Sequence, residues 1–156
     1  IVDRDEDIQK ATLNIIRMIV DLHPQLIPSL LKNGIYDDQG LLWILKSSPF
    51  DLKKSASYII MGTVEHCNEE DVNYLIEKEL IINATEIITS DSHFFNDDNN
   101  SVLIIDILLR LLRSDIFKDR LIMQLIDSGV SEMIFSFETT NEEIDQKFNY
   151  LRNLIE

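Results

Sequence analysis

The sequence feature that most constrains the fold is a six-residue ending that comes back twice. Leu30-Leu31-Lys32-Asn33-Gly34-Ile35, Leu75-Ile76-Glu77-Lys78-Glu79-Leu80 and Leu125-Ile126-Asp127-Ser128-Gly129-Val130 each place two aliphatics, a polar trio and an aliphatic in the same order. They lie 45 and then 50 residues apart. Units of such a period cannot bury their apolar faces alone, so neighbours must stack on one another. The endings divide the chain into about three and a half units, at approximately 1–35, 36–80, 81–130 and 131–156.

Inside the units the apolar residues follow a helical period. Ile8, Thr12, Ile15, Ile16, Ile19 and Leu22 share helical spacing behind the acidic start Asp3 to Asp7, which suits the positive end of a helix and predicts one over about 5–22. Pro24 opens a second helix carrying Leu26, Ile27, Leu30 and Leu31, which ends at Asn33-Gly34, where glycine can take the left-handed cap. A third covers Leu41 to Leu45. Ser48-Pro49 breaks the chain. A long helix with Leu52, Ala56, Ile59, Ile60 and Thr63 follows, then a shorter one with Val72, Leu75 and Ile76.

The second interval is longer because the polar stretch Ser90 to Asn100 reads as an exposed loop inside the third unit. Beyond it the pattern predicts helices at Val102–Arg113, around Phe117–Asp127, at Ser131–Phe137 and from about Asn141 to Leu154. Thr140 is the expected N-cap of the last, with Glu143 completing a capping box. Its apolar face is Ile144, Phe148, Leu151 and Ile155, and Asp145, Lys147 and Arg152 fall on a side expected to be wet. Four Gly and three Pro supply too few turns for many short strands. Periods of about 40–47 residues are those of armadillo and HEAT arrays. The expected fold is therefore all-α, a right-handed α-solenoid of armadillo/HEAT-type repeats whose surface binds a partner.

Charge narrows the partner. With 28 acidic and 14 basic residues the net charge is −14, which repels phosphate backbones and anionic membranes and either favours a basic protein segment or merely keeps an apolar-rich solenoid soluble. The apolar run Val102 to Leu112 is broken by Asp106 and Arg110 and is too short to span a bilayer. The single Cys67 permits no intramolecular disulfide, and no signal stretch is visible, so cytosol or nucleus is expected. The chain opens at Ile1 without a Met, and we expect a piece of something longer, with ends of the array missing.

Nothing argues for an enzyme. No Gly-rich phosphate loop, nucleophile elbow or zinc spacing occurs among His23, His66, Cys67 and His93, and no metal or cofactor is expected. Cys67 beside His66 is read as a half-buried cysteine, because adjacent helical residues point about 100° apart. Asp91, His93, Asp97 and Asp98 lack the order of a calcium loop and read as solvated. Trp43 and Phe50 are expected in the core, and Phe94-Phe95 is expected to anchor the polar loop.

The segment Phe50-Asp51-Leu52-Lys53-Lys54-Ser55-Ala56-Ser57-Tyr58-Ile59-Ile60, with Glu69-Glu70-Asp71-Val72-Asn73-Tyr74-Leu75-Ile76 after it, resembles the late armadillo repeats of importin-α. Asn141-Glu142-Glu143-Ile144 leading to Tyr150-Leu151 is similar to that family's closing repeat. The resemblance implies C-terminal repeats of a nuclear-import adaptor, binding basic nuclear-localisation-type peptides or transport receptors and present in cytoplasm and nucleus. The family's signal-binding repeats carry a tryptophan and, four positions later, an asparagine. The corresponding positions here are Tyr58 and Gly62, and Asn14 and Met18 one repeat earlier. In the next repeat they are Asp106 and Arg110, which also stand at the (i, i+4) spacing of a surface ion pair. By this resemblance the peptide-binding positions are Asn14, Asp51, Tyr58, Gly62, Asp106 and Arg110. The other reading is a divergent armadillo or HEAT scaffold outside nuclear transport.

Overall fold

A computed structural model describes residues 5–91 and 98–156. All regular structure among them is helical: α1 Glu6–Leu22, α2 Ile27–Lys32, α3 Leu41–Ser47, α4 Phe50–His66, α5 Glu69–Glu77, α6 Leu80–Ser90, α7 Asp98–Leu112, α8 Lys118–Asp127, α9 Val130–Ser136 and α10 Glu142–Ile155, with a 3-10 turn at Pro24–Leu26 before α2. A long helix followed by two shorter ones is the recurring order: α1, α2, α3; α4, α5, α6; α7, α8, α9; and α10 begins it again. The residues form two compact units, Ile1–Leu80 and Ile81–Glu156.

Those endings share one backbone geometry. Gly34, Glu79 and Gly129 have φ of 70°, 55° and 76°, and Glu79 is the one described non-glycine residue with positive φ. In each, the left-handed residue's N–H donates to the carbonyl three residues back, Leu31 at 3.1 Å, Ile76 at 3.0 Å and Ile126 at 3.1 Å. The N–H before it donates four back, to Ser29, Tyr74 and Gln124. One closing turn, which reverses the chain and satisfies the last carbonyls of the helix, is thus used after α2, α5 and α8. Glycine takes this conformation without steric cost, whereas at Glu79 the Cβ makes it strained.

In the first unit α1 starts at Asp5, whose carboxylate accepts from the N–H groups of Asp7 and Ile8 at 2.9 and 3.4 Å. Its buried stripe, Gln9, Leu13, Ile16 and Val20, faces α4. On α4, Leu52, Ala56, Ile59, Ile60, Thr63 and Val64 are buried, and α3 supplies Leu41, Leu42, Ile44 and Leu45. Trp43 and Phe50 are half-buried at the edge of this core.

Inside the core the Tyr36 hydroxyl is hydrogen-bonded to the Thr63 hydroxyl, which donates to the Ile59 carbonyl at 2.8 Å. Burial is the main reason the phenol is pushed up to about 12, partly offset by the Thr63 hydrogen bond. A folded phenol that resists ionisation leaves the unfolded chain to lose its proton first, so this residue's contribution falls as pH rises from about 10 towards 12. Replacing Tyr36 with Phe should flatten that fall. Urea unfolding at pH 9 and near pH 12 should show wild type losing up to about 2–3 kcal/mol more than Tyr36→Phe across the window.

In the second unit α7 is apolar nearly all round, with Leu103, Ile104, Ile105, Ile107, Leu108, Leu109, Leu111 and Leu112 buried, the pattern of a helix enclosed by others. It packs on α10 and α8. The polar stretch read as a loop from Ser90 to Asn100 is shorter than expected: Ser90 ends α6, and α7 starts at Asp98, so Asn100 is helical and buried. The predicted helix at Val102 is extended by a turn of polar residues. His93, Phe94, Phe95 and Asp97 lie outside the described residues.

The predicted apolar face of α10 is buried at all four positions, Ile144, Phe148, Leu151 and Ile155. Its N-cap is Asn141 and not Thr140: the Asn141 side chain accepts from the N–H groups of Glu143 and Ile144 at 3.1 and 3.4 Å. Asparagine is as strong a cap as threonine or stronger, so the helix begins one residue later. The side expected to be wet is engaged. Arg152 donates to the carbonyls of Ile134 and Phe137, at 3.1 and 2.5 Å, and lies over the Phe148 ring. Phe137 stacks on Phe148 with ring centroids 4.1 Å apart.

Candidate functional site: the edge between two long helices

Four of the six positions expected to bind peptide fall in the first unit, on α1 and α4. Asn14 is exposed on α1, Asp51 is exposed in the first turn of α4, and Tyr58 is exposed two turns on. Gly62 is different. It is buried, and a Cβ built on it would lie 3.1 Å from Val20 Cγ1 and 3.3 Å from Asp21 Oδ1. The glycine lets α4 approach α1 closely, so here close packing explains a residue that would otherwise cost helix stability of about 1 kcal/mol.

The two helices run in the same direction. The Arg17 guanidinium lies over the Tyr58 ring, 5.3 Å from its centroid, and Asp21 lies over Gly62. Both pairs are 41 residues apart, and both members advance by four. Asp51 also acts on Lys10, again 41 residues away: the Lys10 ammonium is held above its usual range, first by its hydrogen bond to Glu6 at 2.8 Å and to a smaller degree by Asp7 and Asp51.

The same separation occurs in the second unit, where Lys147 of α10 donates to both carboxylate oxygens of Asp106 on α7, at 3.0 and 3.2 Å. Sequence spacing offered Arg110 as the partner of Asp106, but a cation from the next long helix holds it. Lys147 was legible only as a polar residue off the apolar stripe, because a contact 41 residues away has no local signature. Arg110 is exposed.

These arrangements change what the positions can do. An open Tyr58 face would stack on a lysine stem of a ligand. Arg17 already covers it, and Arg17 also pairs with Asp21 at 3.6 Å, with both side chains about half exposed. An exposed pair of this kind contributes little to stability and exchanges readily with another cation. The edge therefore offers the carboxylate of Asp21 beside a ring whose present cation belongs to the chain itself, with Asp51 two turns away on α4.

Cys67 is half-buried, as expected, with its thiol 3.8 Å from the Val64 carbonyl. Among the described residues no group of three His, Cys, Asp or Glu side chains is placed to hold a metal ion, and no helix is long and apolar enough to cross a membrane. The molecule is thus an all-helical protein in which a three-helix order recurs with one shared turn. Compared with protein-family models, curated proteins and solved structures, the chain matched nothing.

Proposed function

We propose that the chain is a protein-binding module of armadillo type, a right-handed helical solenoid resembling the C-terminal repeats of importin-α, that receives a basic segment along its long helices. The observation that carries this is the stacking of long helices within each compact unit, α1 with α4 and α7 with α10, through pairs 41 residues apart, with the same left-handed turn after α2, α5 and α8. A surface built that way exposes one row of side chains from each long helix, and here the row includes Asp21, Asp51 and Tyr58 on a chain of net charge −14. A lysine-rich segment of nuclear-localisation type fits it, and a transport receptor with a basic face fits it equally. The protein would then move between cytoplasm and nucleus.

Arg17 over Tyr58 favours a second reading, a scaffold outside nuclear transport whose row serves another partner. A titration with a lysine-rich signal peptide at low and moderate salt separates the two. The first reading expects saturable binding that weakens with salt, and a two- to five-fold loss, roughly, in Tyr58→Ala, the scale of an exposed cation–aromatic contact. Absence of binding at high micromolar peptide leaves the scaffold reading.

A further inference from the structure

The Tyr58 ring and the Asp21 carboxylate already hold a cation, and that cation is a guanidinium. Arg17 reaches from α1 to α4 and places its Cζ 5.3 Å from the Tyr58 ring centroid, while its Nε lies 3.6 Å from Asp21 Oδ2. The contact is made wholly between these two helices of the first unit. Gly62, one turn beyond Tyr58, lets α1 come close enough for Asp21 to stand beside the ring. Tyr74 on α5 differs. It is as exposed as Tyr58, each at 36%, but the cation over it is Lys78 of its own helix, 6.0 Å away at the local (i, i+4) spacing. A planar guanidinium covers a ring face and still donates to a neighbouring carboxylate, whereas an ammonium is a compact, strongly hydrated point charge. A ring with a flanking carboxylate matches the first.

We infer that Tyr58 and Asp21 form an arginine-selective subsite, with Arg17 as its resident occupant and a partner's arginine entering by displacing it. This selectivity rests on the reading of the edge as the receiver of a basic segment, and it narrows that segment from basic to arginine-bearing. Displacement is within reach because the Arg17 and Asp21 side chains are 54% and 46% exposed, and an ion pair so placed contributes little. The resident lowers apparent affinity in proportion to the time it covers the ring, without barring the site. Net charge produces no such preference, because arginine and lysine segments carry the same charge.

The test uses the 156-residue chain and two peptides of one sequence, with arginine in one and lysine in the other at every basic position, so that attraction to the net charge of −14 is common to both. Wild type should bind the arginine peptide more tightly, by about three-fold or more. Arg17→Gln should raise that affinity about three- to ten-fold by opening the ring. Most of the gain should vanish when Tyr58→Ala is added, where the same charge is removed but no ring is left to open. Arg17 is half-exposed, so Arg17→Gln should keep the wild-type melting temperature within a few degrees, and Tyr74→Ala should leave both affinities unchanged. Equal or tighter binding of the lysine peptide overturns the proposal, as does an unchanged or lowered affinity in Arg17→Gln, or a gain equally large without Tyr58. So does a chain that takes neither peptide both as wild type and as Arg17→Gln. If wild type binds the two peptides alike, in a salt-sensitive way that Tyr58→Ala weakens, the basic-segment reading survives and arginine selectivity falls. If wild type binds neither at high micromolar peptide but Arg17→Gln binds the arginine one, the subsite stands and the basic-segment reading of the wild-type chain falls.

Discussion

Truncating Phe148 to Ala should lower stability by about 3–5 kcal/mol, the largest single effect we expect in this chain. Phe148 is among the largest fully buried side chains, and its ring makes two contacts that nothing else can replace. Phe137 stacks on it, tying the segment after α9 to α10, and the guanidinium of Arg152 lies over it while binding the Ile134 and Phe137 carbonyls. Removal leaves a cavity and frees the aromatic and the arginine together. Urea unfolding should show the full loss, and Phe148→Leu, which keeps part of the volume, should recover more than half of it.

The second large effect lies at Gly62. A leucine there must place its side chain where Val20 and Asp21 already stand, so α1 has to move off α4 or the new side chain must leave its rotamer. We expect a loss of about 1–3 kcal/mol by the same measurement. The outcome bears on the proposed function, because under the resemblance to importin-α Gly62 would correspond to a position where signal-binding repeats carry asparagine. If Gly62→Asn is also destabilising, that position is committed to helix packing and cannot take up a peptide backbone.

How much could be read from the sequence follows from the range of each interaction. Local periodicity marked the buried faces of α4 and α10 correctly, because a stripe at helical spacing is written within a few residues, but on α1 it picked out Ile8, Thr12, Ile15, Ile16, Ile19 and Leu22, of which Ile16 alone is buried, the covered stripe being Gln9, Leu13, Ile16 and Val20. The recurring endings were also local, and they located all three left-handed turns, including Glu79, where the residue type alone argues against that conformation. Helix α6 escaped notice. Its sequence, Leu80-Ile81-Ile82-Asn83-Ala84-Thr85-Glu86-Ile87-Ile88-Thr89-Ser90, is rich in β-branched residues, whose weak helical preference gave way to burial of Ile81, Ile82, Ala84 and Ile88.

The pairs that define the candidate site were not legible. Arg17 with Tyr58, Asp21 with Gly62 and Lys147 with Asp106 each join residues 41 apart, and only the packing of long helices brings them together. Asp106 beside Arg110 looked complete as a local pair, and nothing nearby pointed to Lys147. The covered stripe of α1 was hidden for a related reason: apolar residues such as Ile8 and Ile15 suggest a core, and which of two apolar faces is covered depends on neighbours.

The repeating unit depends most on one turn being used three times, and two substitutions at that turn test it directly. Glu79→Gly should raise stability by about 0.5–1 kcal/mol, since glycine takes a left-handed φ without the strain of a Cβ. Gly129→Ala should lower it by about 1 kcal/mol although a Cβ there would meet nothing within 4 Å, so that backbone conformation alone is at stake. If Glu79→Gly instead costs about 1 kcal/mol, as glycine does in the middle of a helix, or Gly129→Ala is neutral, the three endings are not one structure and the repeating unit is lost.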